Sequence, residues 1–426
     1  MTFIEELQAR GLVQDIMPGT EELLARGMTA AYIGFDPTAE SLHVGSLLPI
    51  TLLMRLQRAG HKPYALVGGA TGMIGDPSGK SAERNLLDNE TIERNCAGIR
   101  AQLSKFIDFS EGADNAAVMV NNYDWFKNFS FLDFIRDAGK LVTVNYMMAK
   151  DSVKKRLETG LSFTEFSYQL IQGYDFLHLY QSYNVQLQMG GADQWGNITT
   201  GTELIRKKCG GEAYAFTSPL ITKADGSKFG KSEGGNVWLD PNLTSPYKFY
   251  QFWLNLKDDE AEKMALIFSF KSVEEIKALI DEHRTAPHLF LLQKAIAEEL
   301  TTMVHSAEDL AFAIKASEIL FSKTAVDELK QLTEKQLLEV MEGVPQVKAH
   351  LSLLHSDGAD LITFLAEQNI YSSKGEARKA LQGNAVSINK EKVSAVDFKI
   401  EAQHLLNDKY ILIQKGKKDY YLAIFE

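Results

Sequence analysis

Two short segments carry the residue types that could manage a polyphosphate. His43-Val44-Gly45-Ser46 sets an imidazole at the start of a helical run, where its ring N–H and the free backbone N–H groups would face an anion together. Lys228-Phe229-Gly230-Lys231-Ser232, followed by Gly234 and Gly235, puts two lysines on a glycine loop able to close over a polyphosphate as charge develops on it. Taken singly, the first reads as an ordinary helix start with a structural histidine and the second as a solvated basic loop. The specific signal is the pair, one segment at the first strand–helix junction and the other beyond the α/β region. A third glycine-dense stretch, Thr71 to Ser81, fails as a phosphate loop because Ile74 stands where glycine is required. What it offers is Asp76 on a turn after a strand, at the end of a parallel sheet where ligands bind.

A second group lies on one helix. Ser162 and Glu165 form an S-x-x-E capping pattern, so a helix begins near Phe163. On it Tyr168, Gln172 and Asp175 stand at i, i+4 and i+7, one stripe. The stripe could be the wet face of an amphipathic helix. Phe166, Leu170, Ile171 and Phe176 around it favour an inward one, and burying a phenol, an amide and a carboxylate is costly unless they bind something polar. Asp193 and Gln194 follow Gly190-Gly191 at a strand end and open a helix, a placement suited to ribose hydroxyls and equally to a helix cap.

The elements that must position these residues alternate in period. Ala31 to Phe35, Tyr64 to Val67, Ala117 to Val120 and Val185 to Met189 read as strands, with an apolar helix from Gly45 to Ala59 and further helices between them. Strand, helix, strand within about forty residues implies a parallel sheet covered by helices. The expectation is an α/β, Rossmann-like catalytic domain over residues 1–225, with the lysine loop and a linker over 226–245. A helix-former-rich, glycine-poor texture over 246–342 reads as an α-helical domain, interrupted at Gly343-Val344-Pro345. A small α+β module follows over 358–426, with helices at Leu361–Gln368 and Lys374–Gln382, strands at Ala385–Ile388 and Tyr410–Gln414, and a hairpin turn at Gly416-Lys417-Lys418-Asp419.

Composition narrows the classes. The 426 residues hold 45 basic and 56 acidic side chains, a net charge of −11, which argues against a surface that is basic throughout. From Leu361 onward there are 10 basic and 8 acidic residues, so that module is +2 and the other 360 residues carry −13. No stretch approaches the ~20 apolar residues of a membrane span, and the acidic N-terminus is unlike a secretory signal. Cys96 and Cys209 are too few for a disulfide framework and make no metal site, so a cytoplasmic protein with no membrane partner is expected.

With HVGS and KFGKS in these positions the chain resembles the class I aminoacyl-tRNA synthetases, and among them the bacterial tyrosyl-tRNA synthetases. The resemblance extends over Tyr32-Ile33-Gly34-Phe35-Asp36-Pro37-Thr38, Gly75-Asp76-Pro77-Ser78-Gly79, Gly190 to Asn197 and the order of the whole chain. Ser46 stands where the family's first motif has its second histidine. The resemblance implies tyrosine, ATP with Mg2+, and tRNA(Tyr) as substrates, a homodimer, no tightly bound cofactor and no protein-held metal. It implies that His43, Lys228, Lys231 and Thr38 stabilise phosphate charge. Tyr32 and Asp175 would hold the tyrosine hydroxyl, and Asp76, Tyr168 and Gln172 its ammonium group. Gly34, Asp36, His43, Gly45, Asp193, Gln194, Lys231 and Ser232 would contact ATP or the adenylate. The helical domain would read the anticodon end, and the terminal module resembles the S4 RNA-binding fold, with Lys374, Arg378 and Lys379 on the arm of the tRNA. Two rivals share much of this pattern: a tryptophan-specific synthetase, and a non-catalytic RNA-binding factor on a synthetase scaffold.

Overall fold

The computed structural model describes the chain except for residues 79–85, 158–159, 223–228, 233–234, 322–328, 343, 355–357 and 417–418, and the side chains of 152, 155, 231, 232 and 319–321. Gly79, Lys228, Gly234, Gly343, Lys417 and Lys418 therefore lie outside the described residues, as do the side chains of Lys231 and Ser232. The chain divides into two compact units, 1–244 with 249–306, and 245–248 with 307–426.

The first unit is built on a six-stranded sheet in the order β1-β6-β5-β2-β3-β4. Its strands are β1 (Asp15–Ile16), β2 (Ala30–Phe35), β3 (Lys62–Val67), β4 (Val118–Asn121), β5 (Val185–Gly191) and β6 (Tyr214–Ser218). All neighbours run parallel except β1, which pairs antiparallel with β6 at the edge. β2, β3 and β5 are buried along nearly their whole length, as strands covered on both faces must be. From β2 the chain steps outward to β3 and β4, then returns to the other side of β2 as β5 and steps away to β6. The order thus reverses between β2 and β5, and a crevice opens beyond their carboxyl ends.

The helices that matter here are α1 (Phe3–Ala9), α2 (Leu47–Arg58), α3 (Asn89–Phe106), α4 (Phe163–Tyr183) and α5 (Trp195–Cys209). α2 is almost wholly buried, from Leu47 to Leu56. The start of α4 follows the capping pattern in part: the Ser162 hydroxyl accepts the Glu165 N–H at 3.1 Å. The Glu165 carboxylate takes Arg156 at 2.7 Å in an ion pair whose side chains are only 5% and 3% exposed. Gly173 of α4 faces Thr200, Gly201 and Leu204 of α5, where an added Cβ would come within 3.1 Å of Leu204 and Thr200. That close approach locks the two helices that carry most of the site.

The helical stretch expected as one domain over 246–342 is divided between the units. From Phe249 onward its helices up to Val304 belong with the sheet. Arg10, at the end of α1, donates to the carbonyls of Leu266 (3.1 Å), Ser269 (3.0 Å) and Lys271 (2.6 Å). Arg55 of α2 donates to Ser269 O at 2.6 Å, and both guanidiniums hold Glu6. Buried cations at carbonyls that end the helix Asp258–Phe268 complement its dipole and tie it to the sheet unit. Helix-forming composition reports local preference and says nothing of which surface a helix buries.

The second unit holds the helices Ala307–Phe321 and Glu334–Val340 and a five-stranded sheet. Tyr410–Lys415 and Asp419–Phe425 form the expected hairpin, with Lys415 opposite Asp419. A strand absent from the sequence reading, Gln346–Ala349, joins this sheet parallel to Asp419–Phe425, so the expected border at 358 falls after the module has begun. The helices Leu361–Glu367 and Lys374–Gln382 contribute Leu361, Leu365 and Leu381 to a core that also holds Ile411, Ile413 and Phe425.

Removing one partner of a buried ion pair strands the other charge. Glu165→Ala should therefore lower the unfolding free energy by about 3–5 kcal/mol in urea denaturation.

Candidate active site

At the carboxyl ends of β2, β3, β4 and β5 the loops and α4 enclose a polar chamber. Its deepest part is made by Tyr32 on β2 and Asp175 on α4, each 1% exposed. Asp175 accepts the Trp125 indole N–H and an Asn122 amide N–H, each at 3.0 Å. Asn122 follows β4; its oxygen accepts the Ala70 N–H at 2.7 Å and its NH2 also reaches the Thr71 hydroxyl at 3.0 Å. The Tyr32 hydroxyl is buried and has no hydrogen-bond partner among the described residues. Burial, then the Asp175 charge, pushes its pKa well above the usual phenol value. Burial likewise lifts the Asp175 carboxyl to about 8, against the lowering effect of Asn122 and Trp125 and with a smaller push from Asp36.

The middle of the chamber is Asp36, just beyond β2. It accepts the Thr71 hydroxyl and the Tyr168 hydroxyl, both at 2.7 Å. The outer part centres on Asp76, which accepts Gln194 Nε2 at 2.7 Å and the Ser78 N–H at 2.9 Å. Asn197, at the start of α5 and 2% exposed, donates to Gln172 Oε1 at 2.9 Å and Gln194 Oε1 at 3.2 Å. The stripe Tyr168, Gln172 and Asp175 thus faces inward along one wall, each member meeting a different part of the chamber. Neither Asp76 nor Asp175 has an ion-pair partner among the described residues. Tyr168 feels this field: burial first, then Asp36 and Asp76, raise its pKa well above the ordinary value. The chamber can accept a cation at its outer end and a hydroxyl at its floor.

The two glycine motifs meet at the chamber's rim. His43 heads the turn Val44–Ser46 that leads into α2, and its Nδ1 accepts the Gly45 N–H at 2.9 Å, so the neutral ring carries its proton on Nε2. A Cβ on Gly45 would lie 2.6 Å from the imidazole, so only glycine lets the ring fold back over this turn. Gly230 has φ +86°, and a Cβ there would lie 3.0 Å from Gly45 N: the two motifs touch backbone to backbone through glycines. Val44 N–H donates to Val237 O at 2.8 Å and Val237 N–H to Gly230 O at 3.0 Å, completing the join. Phe229 anchors its loop, buried among Phe252, Trp253 and Phe268. Lys231–Ser232 pairs antiparallel with Gly235–Asn236. Gly34 is exposed on β2, Thr38 is exposed after a turn closed by its N–H to Asp36 O, and Asp193 and Gln194 lie in the turn after β5. Ser46 immediately precedes α2 and makes no side-chain bond to cap it.

Residues 25–322 match the family described as tRNA synthetases class I (W and Y), and residues 336–423 match the tyrosine–tRNA ligase SYY-like C-terminal domain. The tyrosine–tRNA ligase of Bacteroides fragilis is 60% identical over the whole of both chains, and that of Cytophaga hutchinsonii is 60% identical over 99% of each. The chain belongs to the tyrosine–tRNA ligase family. Among solved structures, the C-terminally truncated mitochondrial tyrosyl-tRNA synthetase of Aspergillus nidulans is 30% identical with a TM-score of 0.66, covering 75% of this chain and 94% of that one. The tyrosyl-tRNA synthetase of Archaeoglobus fulgidus complexed with L-tyrosine, 18% identical with a TM-score of 0.54, shares the fold over 72% of this chain and 99% of its own.

Sequence reasoning missed three members of this synthetase's chamber: Asn122, Trp125 and the hub role of Asn197. A signal was available for the first, since Asn121-Asn122 directly follows an expected strand in a parallel sheet. In the second unit, Lys374, Arg378 and Lys379 are exposed on the helix Lys374–Gln382, with Lys374 and Arg378 one turn apart on the same face.

Asp175 holds its proton to a higher pH when folded than when unfolded, so its contribution favours the folded state at low pH and is lost as pH rises from about 4 to about 8. In ligand-free protein, unfolding free energy should therefore fall more steeply over that range than in Asp175→Asn, as read by urea titrations at fixed pH values.

Proposed function

We propose that this chain, as a tyrosine–tRNA ligase, uses the chamber to bind tyrosine, couples it to ATP as tyrosyl-adenylate, and passes the tyrosyl group to the 3′ ribose of tRNA(Tyr). One observation carries the assignment of the chamber: the Tyr32 hydroxyl, buried without a described partner beside Asp175. A substrate phenol reaching the floor would pair both groups. Phenylalanine would leave them unpaired at a cost, and an indole would place its N–H elsewhere. In this reading the substrate ammonium sits among Asp76, Tyr168 and Gln172, with Asn197 fixing the Gln172 amide so that its oxygen faces the charge.

The first step requires no protein nucleophile. The tyrosine carboxylate attacks the α-phosphorus, the bond to the β-phosphate oxygen breaks, and pyrophosphate carries the electron pair away. Catalysis is positioning plus stabilisation of the leaving charge. His43 offers its Nε2 proton to that charge, and Lys228, Lys231 and Thr38 complete the set; Mg2+ enters with ATP. Gly34, Asp36, Gly45, Asp193, Gln194 and Ser232 line the adenylate side, where small or hydroxyl-accepting groups admit the ribose. In the second step a ribose hydroxyl attacks the tyrosyl carbonyl and AMP leaves.

The C-terminal module, with Lys374, Arg378 and Lys379, grips tRNA through phosphate contacts in this reading, and the helices between sheet and module read its anticodon end. Phe131, Leu132, Val144 and Phe163, 60–71% exposed on elements between β4 and α4 and at the start of α4, form the surface we assign to a second copy of the chain in a homodimer. No described helix is long and apolar enough to cross a membrane. We place the reaction in the cytoplasm, with its tRNA substrate.

In ATP–pyrophosphate exchange the wild type should respond to tyrosine and not to tryptophan. Tyr32→Phe should narrow the tyrosine-to-phenylalanine ratio of kcat/KM by about tenfold, and Lys231→Ala should cut exchange about 100-fold with little change in tyrosine binding. A tyrosine-independent signal, or an unaltered ratio, contradicts the assignment. Light scattering should give a dimer mass for the wild type and a monomer mass for Leu132→Asp with Phe131→Asp; a wild-type monomer refutes the paired surface.

A further inference from the structure

A cavity lies beside the turns that follow β3 and β4, lined by residues other than those of the tyrosine chamber. Its volume is about 390 Å³, within the range of small-molecule sites, and its lining comes from the turns after β3 and β4 and from one face of α3. That face presents Ile92, Glu93, Cys96 and Arg100. Glu93 and Arg100 are two helical turns apart on the same stripe, about 11 Å along the axis. Both are exposed at the cavity mouth, and neither has an ion-pair or hydrogen-bond partner for its charged group among the described residues. Between them on the same stripe lies the buried Cys96, which lines the same space; burial raises its thiol pKa, and the charges of Arg100, Asp36 and Glu93 also reach it.

The opposite wall is Asn121. Its oxygen is taken by the N–H groups of Gly69 (3.2 Å) and Tyr123 (2.9 Å), which leaves its amide NH2 without a partner among the described residues. Position 69 must be glycine for this wall to exist, since a Cβ there would collide with the Asn121 side chain. Ile92 and Met73 supply the apolar lining. An unpaired carboxylate and guanidinium at opposite ends, an apolar middle and one amide donor match a ligand with the same features inverted.

We propose that this cavity is a binding site for a small dipolar ligand of dipeptide size, its ammonium on Glu93, its carboxylate on Arg100 and Asn121, and its apolar side chain on Ile92 and Met73. The ends of an extended dipeptide lie roughly 7 Å apart. The flexible Glu and Arg side chains bring their charges inward from the 11 Å helical spacing to meet them. A single amino acid holds its charges too close together to reach both. None of its lining residues belongs to the tyrosine chamber: at the end of β4 Asn121 lines this cavity and accepts the Gly69 N–H, whereas its neighbour Asn122 accepts the Ala70 N–H and donates to Asp175.

Equilibrium dialysis of radiolabelled glycyl-leucine against the full-length protein, with tyrosine in excess to fill the substrate chamber, tests this. The expected result is saturable binding at one site per chain. It should weaken about tenfold or more in Glu93→Gln and in Arg100→Gln, with thermal unfolding and tyrosine-dependent exchange of both variants unchanged. Absent binding, or binding that survives both substitutions, overturns the proposal. Location is read separately by iodoacetamide and mass spectrometry: bound peptide should slow alkylation of Cys96 several-fold relative to the exposed Cys209. An undiminished Cys96 rate with peptide bound places the peptide elsewhere and equally overturns it.

Discussion

Holding Asp76 and Asp175 in the chamber with no ion-pair partner among the described residues is the constraint on which the rest of this site turns. Asp175 is sealed from water and held by an indole and an amide, both neutral, so its carboxyl is driven up to about 8. A stability-minded fold would place an arginine or an apolar residue there. The scaffold instead gives up fold stability to keep a site that, in the proposed function, a substrate phenol and ammonium would complete. The supporting features follow from that choice. Asn122 is itself fully buried and bonded to three partners, α4 enters on a buried ion pair, and a glycine contact holds α4 tight against α5.

The rim obeys a different constraint, close approach. His43 can lie over its own turn, and the lysine loop can touch that turn, only because positions 45 and 230 lack a Cβ. Phe229 is the fixed point of the loop: its ring is sunk among three aromatic residues while lysines flank it in sequence. In the proposed reaction, a loop anchored at one buried ring would bring its lysines to the leaving group without losing its register. The clamp of Arg10 and Arg55 on the carbonyls after the helix Asp258–Phe268 serves the same end from beneath, because α2 begins at the HVGS turn and ends at that clamp.

Much of this was legible in the residues. The strands β2 to β5 follow from apolar runs bounded by glycine and proline, and the stripe of Tyr168, Gln172 and Asp175 follows from helical spacing after a capping serine. The hairpin at the end of the chain falls where its turn residues put it. Two things were not. The edge strand β1 is two residues long and has no periodicity to detect. The division of the helices between the two units depends on which apolar stripe meets which partner, and a stripe at 3.6-residue spacing looks the same whatever covers it.

Sequence alone determined the chemical inventory: which residues could bear charge, donate or accept, where glycine lifts steric limits, and which local spacing gathers three polar groups on one helix face. Those are properties of single residues and short windows, so they survive without coordinates. Only the tertiary structure decided that Asn122 and Trp125 hold Asp175, that Asn197 orients Gln172, and that the Tyr32 hydroxyl is left unpaired. Each of these joins residues tens of positions apart, and the burial that gives them their force exists only once the sheet, α4 and α5 have closed around one space.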